Sequence, residues 1–411
     1  MNLTVKFSFM EERKSYKEEK LGNFIIDIAA GPFGSNLKVD CFVPDGFPII
    51  DGANLKGFKV TDNVTKFVTE EKARSLHRSI AKRNDVVVTI SGNVGQISFI
   101  PMDSKYPEYL VSQRQFRATF DERRVYVPYL VYYFHTKEGQ HKILSFANQT
   151  GVPALAQPLK NFRNIDISLP DLQTQKQIAR ILESLDNKIE LNNRINHNLE
   201  EQIQDRFDGM VMSDNGLSNC TVVDYADINP KRILGKKSHA KCIDMSCLST
   251  VGPFPSGWET KDYNGGMKFQ NGDTIMARIT PCLENGKVAY VNFLDEGEVA
   301  FGSTEYIILR SKKGLTPIFT YFLARNKSFV DYATKNMTGS SGRQRVAADS
   351  IGKYILPVIN TDSLRKFADF ATPVMEVIRN NCFESRSLAL IRDSLLSQLL
   401  SGNLACAQMN C

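Results

Sequence analysis

The sequence predicts an α+β protein: two mixed α/β globular domains separated by two long helices, arranged as a pseudo-twofold internal repeat. Three observations predict it. The order of features recurs at an offset of about 187–191 residues, too long a period for a solenoid of repeats of about 20–50 residues. Short β-type runs separated by Gly, Pro, Asn and Asp fill two stretches of the chain. Each stretch ends at a Leu-Pro pair, Leu169-Pro170 and Leu356-Pro357, after which a long helical apolar pattern begins.

The repeat is weak in identity and clear in order. Asn84-Asp85-Val86-Val87-Val88 matches Asn271 to Met276, Gly95 to Ile100 matches Gly286 to Val291, and Thr150-Gly151 matches Ser341-Gly342. It divides the chain into an N-terminal extension (1–19), a globular domain (20–170), a helix (171–209), a second globular domain (210–357), a second helix (358–403) and a tail (404–411). Strands are expected at 24–29, 85–90 and 95–100, and again at 273–279, 287–291 and 305–310. The runs 126–137 and 315–327 carry Pro near their starts, as a first helical turn allows.

The long helices read as a paired seam. Ile178, Leu182, Leu185, Ile189 and Leu199 in the first, and Val374, Ile378, Leu388, Ile391 and Leu395 in the second, fall at steps of three and four or at sums of such steps. A polar residue, Asn192 and Asn381, occupies an a-type position in each. Buried there it would fix register; at a bend it would face water. Thr174-x-x-Gln177 fits a capping box, with Asp171 as a rival cap. Pro373 predicts a kink or a restart of the second helix at Thr372.

Composition narrows the function. The chain has 411 residues, 42% apolar, and a formal net charge of +6. No apolar run approaches the ~18–20 residues that span a bilayer, and the N-terminus turns acidic too soon for a secretory signal. A cytoplasmic protein without membrane contact is expected. Eight cysteines, with no C-x-x-C pair, read as reduced thiols, and no metal site is expected. Positive charge is concentrated in the globular domains, whereas 171–208 is net acidic. That distribution favours nucleic-acid binding by the domains over the helices, although a surplus of this size is also ordinary scatter. No phosphate loop, dinucleotide fingerprint, nucleophile elbow or H-E-x-x-H is present. Asp62 with Glu70-Glu71-Lys72 is a chance-level nuclease pattern. No catalytic residue is expected.

The candidate DNA contacts lie in Gly-rich polar loops: Gly34, Ser35, Asn36 and Lys38; Ser91 and Asn93; Gln113 and Arg114; Arg278 and Lys287; and Ser341, Arg343, Gln344 and Arg345. Arg can bond guanine bidentately and Gln or Asn adenine. Ser, Asn and loop amides suit phosphates.

Here the residues resemble a family. Leu169-Pro170-Asp171-Leu172-Gln173-Thr174-Gln175-Lys176-Gln177-Ile178-Ala179, continuing through Leu185-Asp186-Asn187-Lys188-Ile189 to Asn192, is similar to the central helical region of specificity subunits of type I restriction–modification enzymes. The loops Gly31 to Ser35 and Pro281 to Lys287 resemble segments of that family's target recognition domains. The second helix departs from the pattern: Gln is missing from Leu364-Arg365-Lys366-Phe367-Ala368, and Pro373 intrudes. The resemblance implies two target recognition domains, each reading one half of a bipartite, asymmetric site in double-stranded DNA. It implies that the helices pair as an antiparallel coiled coil, set the spacer and dock two methyltransferase subunits. Motor–endonuclease subunits would join these. This chain would be non-catalytic and hold no cofactor; S-adenosylmethionine, ATP and Mg2+ would serve the partner subunits. The alternative is a stand-alone DNA-binding regulator or scaffold.

Overall fold

The apolar run at 24–29 becomes an edge strand, β1 (Ile25–Ala30), of a four-stranded antiparallel sheet. Its companions are β2 (Val86–Thr89), β3 (Ile97–Phe99) and β4 (Gln115–Phe120), in the order β1-β4-β2-β3. Val86, Val88, Ile97, Phe116 and Ala118 point one way and are buried against a helix, α1 (Val127–His135). This computed structural model describes residues 16–148, 153–213 and 219–400. The expected N-terminal extension up to residue 15, the repeat matches at Thr150 and Gly151, the end of the second helix at 401–403 and the tail 404–411 fall outside these.

A long helix follows, α2 (Leu172–Ser213). The sheet then recurs with β5 (Ala226–Ile228), β6 (Asp273–Ala277), β7 (Val288–Tyr290) and β8 (Tyr306–Ser311), in the order β5-β8-β6-β7. Strand for strand this is the order of the first sheet. A helix, α3 (Phe319–Arg325), covers it, and the described residues close with α4 (Thr361–Leu400). The described chain divides into two units: the residues up to Asn187 with those from Leu388 on, and Lys188–Ser387. Each unit thus takes in part of both long helices.

Each unit carries a second sheet that the sequence did not announce. In the first it has five strands, including Phe47–Ile50, Ile80–Lys82 and Glu108–Val111; in the second four, including His239–Ile243 and Ala300–Gly302. These strands are two to five residues long and mix Gly, Pro and charged residues, so no clean alternation marks them.

Local chemistry decides two open points. Asp171 wins the cap of α2: its carboxylate accepts from the Thr174 N–H (3.0 Å) and hydroxyl (2.7 Å), and holds its own pKa below the usual aspartate value by doing so. At Pro373, where a kink or a restart was expected, the helix does not restart. α4 runs through it, with Pro373 on the exposed face. There, water can satisfy the carbonyl that proline leaves unpaired. No helix among the described residues is long and apolar enough to cross a membrane.

Candidate nucleic-acid interface

In the first unit three of the predicted loops converge at one end of the β1-β4-β2-β3 sheet. The Gly31 N–H donates to the Gln115 carbonyl at 2.8 Å, and a Cβ there would stand 1.9 Å from the Ser112 carbonyl oxygen. Only glycine lets the two backbones approach so closely. Gly34 presses on the Gln113 side chain, where a Cβ would meet Oε1 at 2.6 Å, and the Asn36 N–H closes a turn on the Phe33 carbonyl at 2.8 Å. The β2–β3 connection holds Gly92 at φ +89° beside the Arg114 guanidinium. Ser35, Asn36, Lys38, Asn93, Gln113 and Arg114 are exposed, and Ser91 is half-buried.

A strap that sequence reasoning missed braces this end. Ser91 bridges Ala154, the Leu155 N–H donates to the Ile90 carbonyl at 2.9 Å, and the Gly92 N–H to the Pro153 carbonyl at 3.3 Å. The second unit builds the same brace. Ile279 bridges Arg345, the Val346 N–H donates to the Arg278 carbonyl at 3.0 Å, and the Thr280 N–H to the Gln344 carbonyl at 3.0 Å. Here the strap is one arm of a hairpin, Met337–Thr338 against Arg345–Val346, and its tip holds Gly339 and Gly342 at positive φ. Ser341 and Arg343 lie exposed on that tip.

The other three predicted cations of the second unit are less exposed than Arg343. Arg345 is engaged by Glu305, with Nε at 2.9 Å and Nη2 at 2.7 Å, and that pair pulls the Glu305 carboxyl below its usual range. The Lys287 ammonium turns to the Met245 carbonyl at 2.8 Å. Arg278 buries its Nε without a hydrogen-bond partner among the described residues. Glu305 was not foreseen: it lies 40 residues from Arg345, and only the repeat register marks its place. The Arg278 N–H donates to the Glu305 carbonyl, as the Ile90 N–H donates to that of Arg114. Arg114 in one unit therefore stands where Glu305 stands in the other. The two loop ends share a backbone plan and differ in charge.

The long helices meet within each unit. In the first, Ile178, Ala179 and Leu182 of α2 pack with Leu396 of α4 and with Tyr129 and Tyr132 of α1. Asp186 accepts from the Tyr132 hydroxyl and from Arg392 of α4 at 2.7 Å. Gln175 is fully buried, with Nε2 donating to the Pro170 (2.8 Å) and Arg124 (3.0 Å) carbonyls and Oε1 accepting from the Tyr126 N–H (2.8 Å). In the second unit Ile203, Phe207 and Met210 of α2 and Phe367, Ala371, Met375 and Ile378 of α4 share one buried apolar cluster, and the seam turns polar at Asn192. Asn192, 1% exposed, donates toward Glu384 (2.8 Å), the Ser385 hydroxyl (3.2 Å) and the Asn381 carbonyl (3.4 Å), while Asn381 donates to Asn196 Oδ1 at 2.8 Å. Rising numbers on α2 meet falling numbers on α4, so the pairing is antiparallel in each unit. Of the expected seam, Ile178, Leu182 and Ile378 are buried, and Leu185, Ile189, Leu199, Val374, Leu388 and Leu395 are partly so. Ile391 is a correction: it turns outward, half exposed, and Leu396 takes the inward place.

No group of His, Cys, Asp and Glu among the described residues could hold a metal ion. The Asp62 and Glu70-Glu71-Lys72 pattern does not assemble. Asp62 is bound to Tyr109 and to the Lys105 N–H, while Glu70 pairs with Arg74 in the first turns of a short helix capped by Thr69.

Residues 43–201, which contain the β2–β3 and 112–115 loops, the strap and the start of α2, match the family described as type I restriction modification DNA specificity domain. Three relatives agree with it. The chain is 30% identical over 159 residues to the type I restriction enzyme EcoEI specificity subunit of Escherichia coli, covering 37% of this chain and 26% of that one. It is 33% identical over 133 residues to the EcoAI specificity subunit of Escherichia coli, covering 31% and 22%. It is 24% identical over 204 residues to the MjaVIII specificity subunit of Methanocaldococcus jannaschii, covering 46% and 47%. The matches thus span about a quarter of the length of the first two relatives and about half of the third. The crystal structure of a type I restriction–modification S subunit from M. genitalium shares the fold with a TM-score of 0.59 at 12% identity, over 95% of this chain and 98% of that one. The shared fold includes the second unit, which lies almost wholly beyond the specificity-domain match.

Proposed function

We propose that this chain is the DNA-recognition subunit of a type I restriction–modification complex. Each unit reads one half of a bipartite asymmetric site with the loops at the end of its four-stranded sheet. The carrying observation is the pair of braced loop ends, built on one strand order and fitted with different side chains. Arg114, Gln113 and Asn36 face outward on one, and Arg343 and Ser341 on the other. A protein reading two unrelated half-sites needs a common frame with separate reading heads, and a symmetric reader would have repeated its side chains.

On this reading the chain supplies sequence choice and no bond chemistry. The antiparallel helices set the spacer between half-sites and dock two methyltransferase subunits, which use S-adenosylmethionine. Motor–endonuclease subunits use ATP and Mg2+. A stand-alone DNA-binding regulator draws no support from the relatives, all of which carry specificity-subunit names. The test is co-expression with a methyltransferase subunit of the same system. The chain should co-purify with it, and the complex should methylate adenine at one bipartite motif. A chain that binds one DNA sequence alone and never joins a methyltransferase subunit contradicts the proposal.

A further inference from the structure

Phe33 is 82% exposed, although phenylalanine is among the residues that folding most often buries. The ring does not sit on a slack loop. Pro32 before it is buried, Gly31 is pinned under the Ser112 backbone, and the Asn36 N–H closes the turn on Phe33's own carbonyl. Gly34, next in sequence, presses on Gln113. The ring is thus held outward by a braced turn. The exposed side chains on this turn and on the loop beneath it, Ser35, Asn36, Gln113 and Arg114, include no carboxylate and one cation; the chain then runs into Lys38, Val39 and Asp40, all exposed.

A lone aromatic among hydrogen-bonding groups and a positive charge lacks the contiguous apolar patch of a protein-docking surface. It complements a DNA duplex, which is apolar between its base planes and anionic along its edges. We propose that Phe33 is a wedge that enters between two adjacent base pairs of the half-site read by the first unit, partly unstacks them and kinks the duplex. Gln113 and Arg114 take the base edges and phosphates beside it. The cost of kinking depends on the step, and pyrimidine–purine steps yield most easily. Phe33 therefore selects a pliable step in the first half-site without bonding to either base. This rests on the DNA-reading function proposed above.

The test uses the full chain in complex with its methyltransferase subunits and duplexes carrying its methylated motif. 2-Aminopurine is placed at successive positions of the first half-site other than the methylated adenine. The wild-type complex should raise the fluorescence at one step. Phe33→Ala should abolish that rise and weaken specific binding about tenfold, the size expected from loss of one stacking contact. Discrimination at the second half-site should not change. Phe33→Leu should keep part of the signal, since leucine can also act as a wedge, and both variants should melt with the wild type. Equal affinity and equal fluorescence at every position in wild type and Phe33→Ala overturn the inference and leave the DNA-reading proposal standing. Normal DNA binding by Phe33→Ala with loss of the methyltransferase subunits makes Phe33 a protein contact and also overturns it. A wild-type complex that does not bind its own motif removes both.

Discussion

Arg343 and Arg345 look alike in sequence, and the fold separates them. Arg345 spends its guanidinium on Glu305, whereas Arg343 stands exposed on the hairpin tip. If Arg343 reads a base, Arg343→Ala should relax one position of the second half-site by about 1–3 kcal/mol. If it touches only phosphate, binding should weaken evenly and the salt slope fall by about one. Competition binding across a library of half-site variants at several salt concentrations separates these outcomes, and no change in either refutes a role for the tip. Glu305 gives the opposite prediction. Glu305→Gln removes a carboxylate from the loop end and releases Arg345. Binding should tighten and become more salt-dependent, with a slope steeper by about one. Unchanged binding would mean that Arg345 does not reach DNA when released. The exposed loop cations could be picked from the sequence by residue type. The Glu305 partnership could not, because 40 residues separate the two groups and only the sheet brings them together.

Elements were legible in proportion to their periodicity. The strands at 86–89, 97–99, 273–277 and 306–311 stand out as β-branched and aromatic runs between turns, and the structure forms them within a few residues of where they were expected. The second sheet of each unit was missed because its strands are short; one of them, Glu259–Asp262, is exposed throughout. The long helices announced themselves, but their ends needed geometry. Asp171 and Thr174 both fit a cap by sequence, and the carboxylate prevailed because it takes two hydrogen bonds where the hydroxyl would take one. Asp171→Ala should destabilise the first unit by about 1 kcal/mol. Its pKa is lowered in the folded state, so its contribution is whole above the unfolded value near ~4 and fades as pH falls through the lower folded value. The difference in melting temperature between wild type and Asp171→Asn should be constant from about pH 7 to 5 and shrink below about 4. A difference that persists at acid pH would show that the charge is not the stabilising agent. Gln175 ties α2 to the domain before it through three backbone groups. Gln175→Ala strands these groups and should cost on the order of 3 kcal/mol in chemical denaturation, given about 1–3 kcal/mol per buried unpaired group. A loss below about 1 kcal/mol would mean that water replaces the amide.

At the scale of the whole molecule the repeat is the organising fact, and it was visible in the sequence as order rather than identity. On the proposed function its differences carry the specificity, as where Arg114 of one unit stands against Glu305 of the other. If the helix pair sets the spacer, one heptad added to each helix, after Asn192 and after Glu384, keeps the seam in phase and lengthens it by about 10.5 Å. At about 3.4 Å per base pair the spacer of the methylated motif should grow by about two to four base pairs. Both half-sites should keep their identity. An unchanged spacer in an active complex would assign the separation to something other than these helices. The central claim, that each unit reads its own half of one site, is tested most directly by exchange. Residues 20–165 are replaced by the matching domain of a relative with a different motif, and the methylated motif is read by sequencing the genome of cells that carry the complex. The account predicts that one half of the motif changes to the donor's and the other half stays. A change in both halves, or in neither while methylation continues, would contradict it.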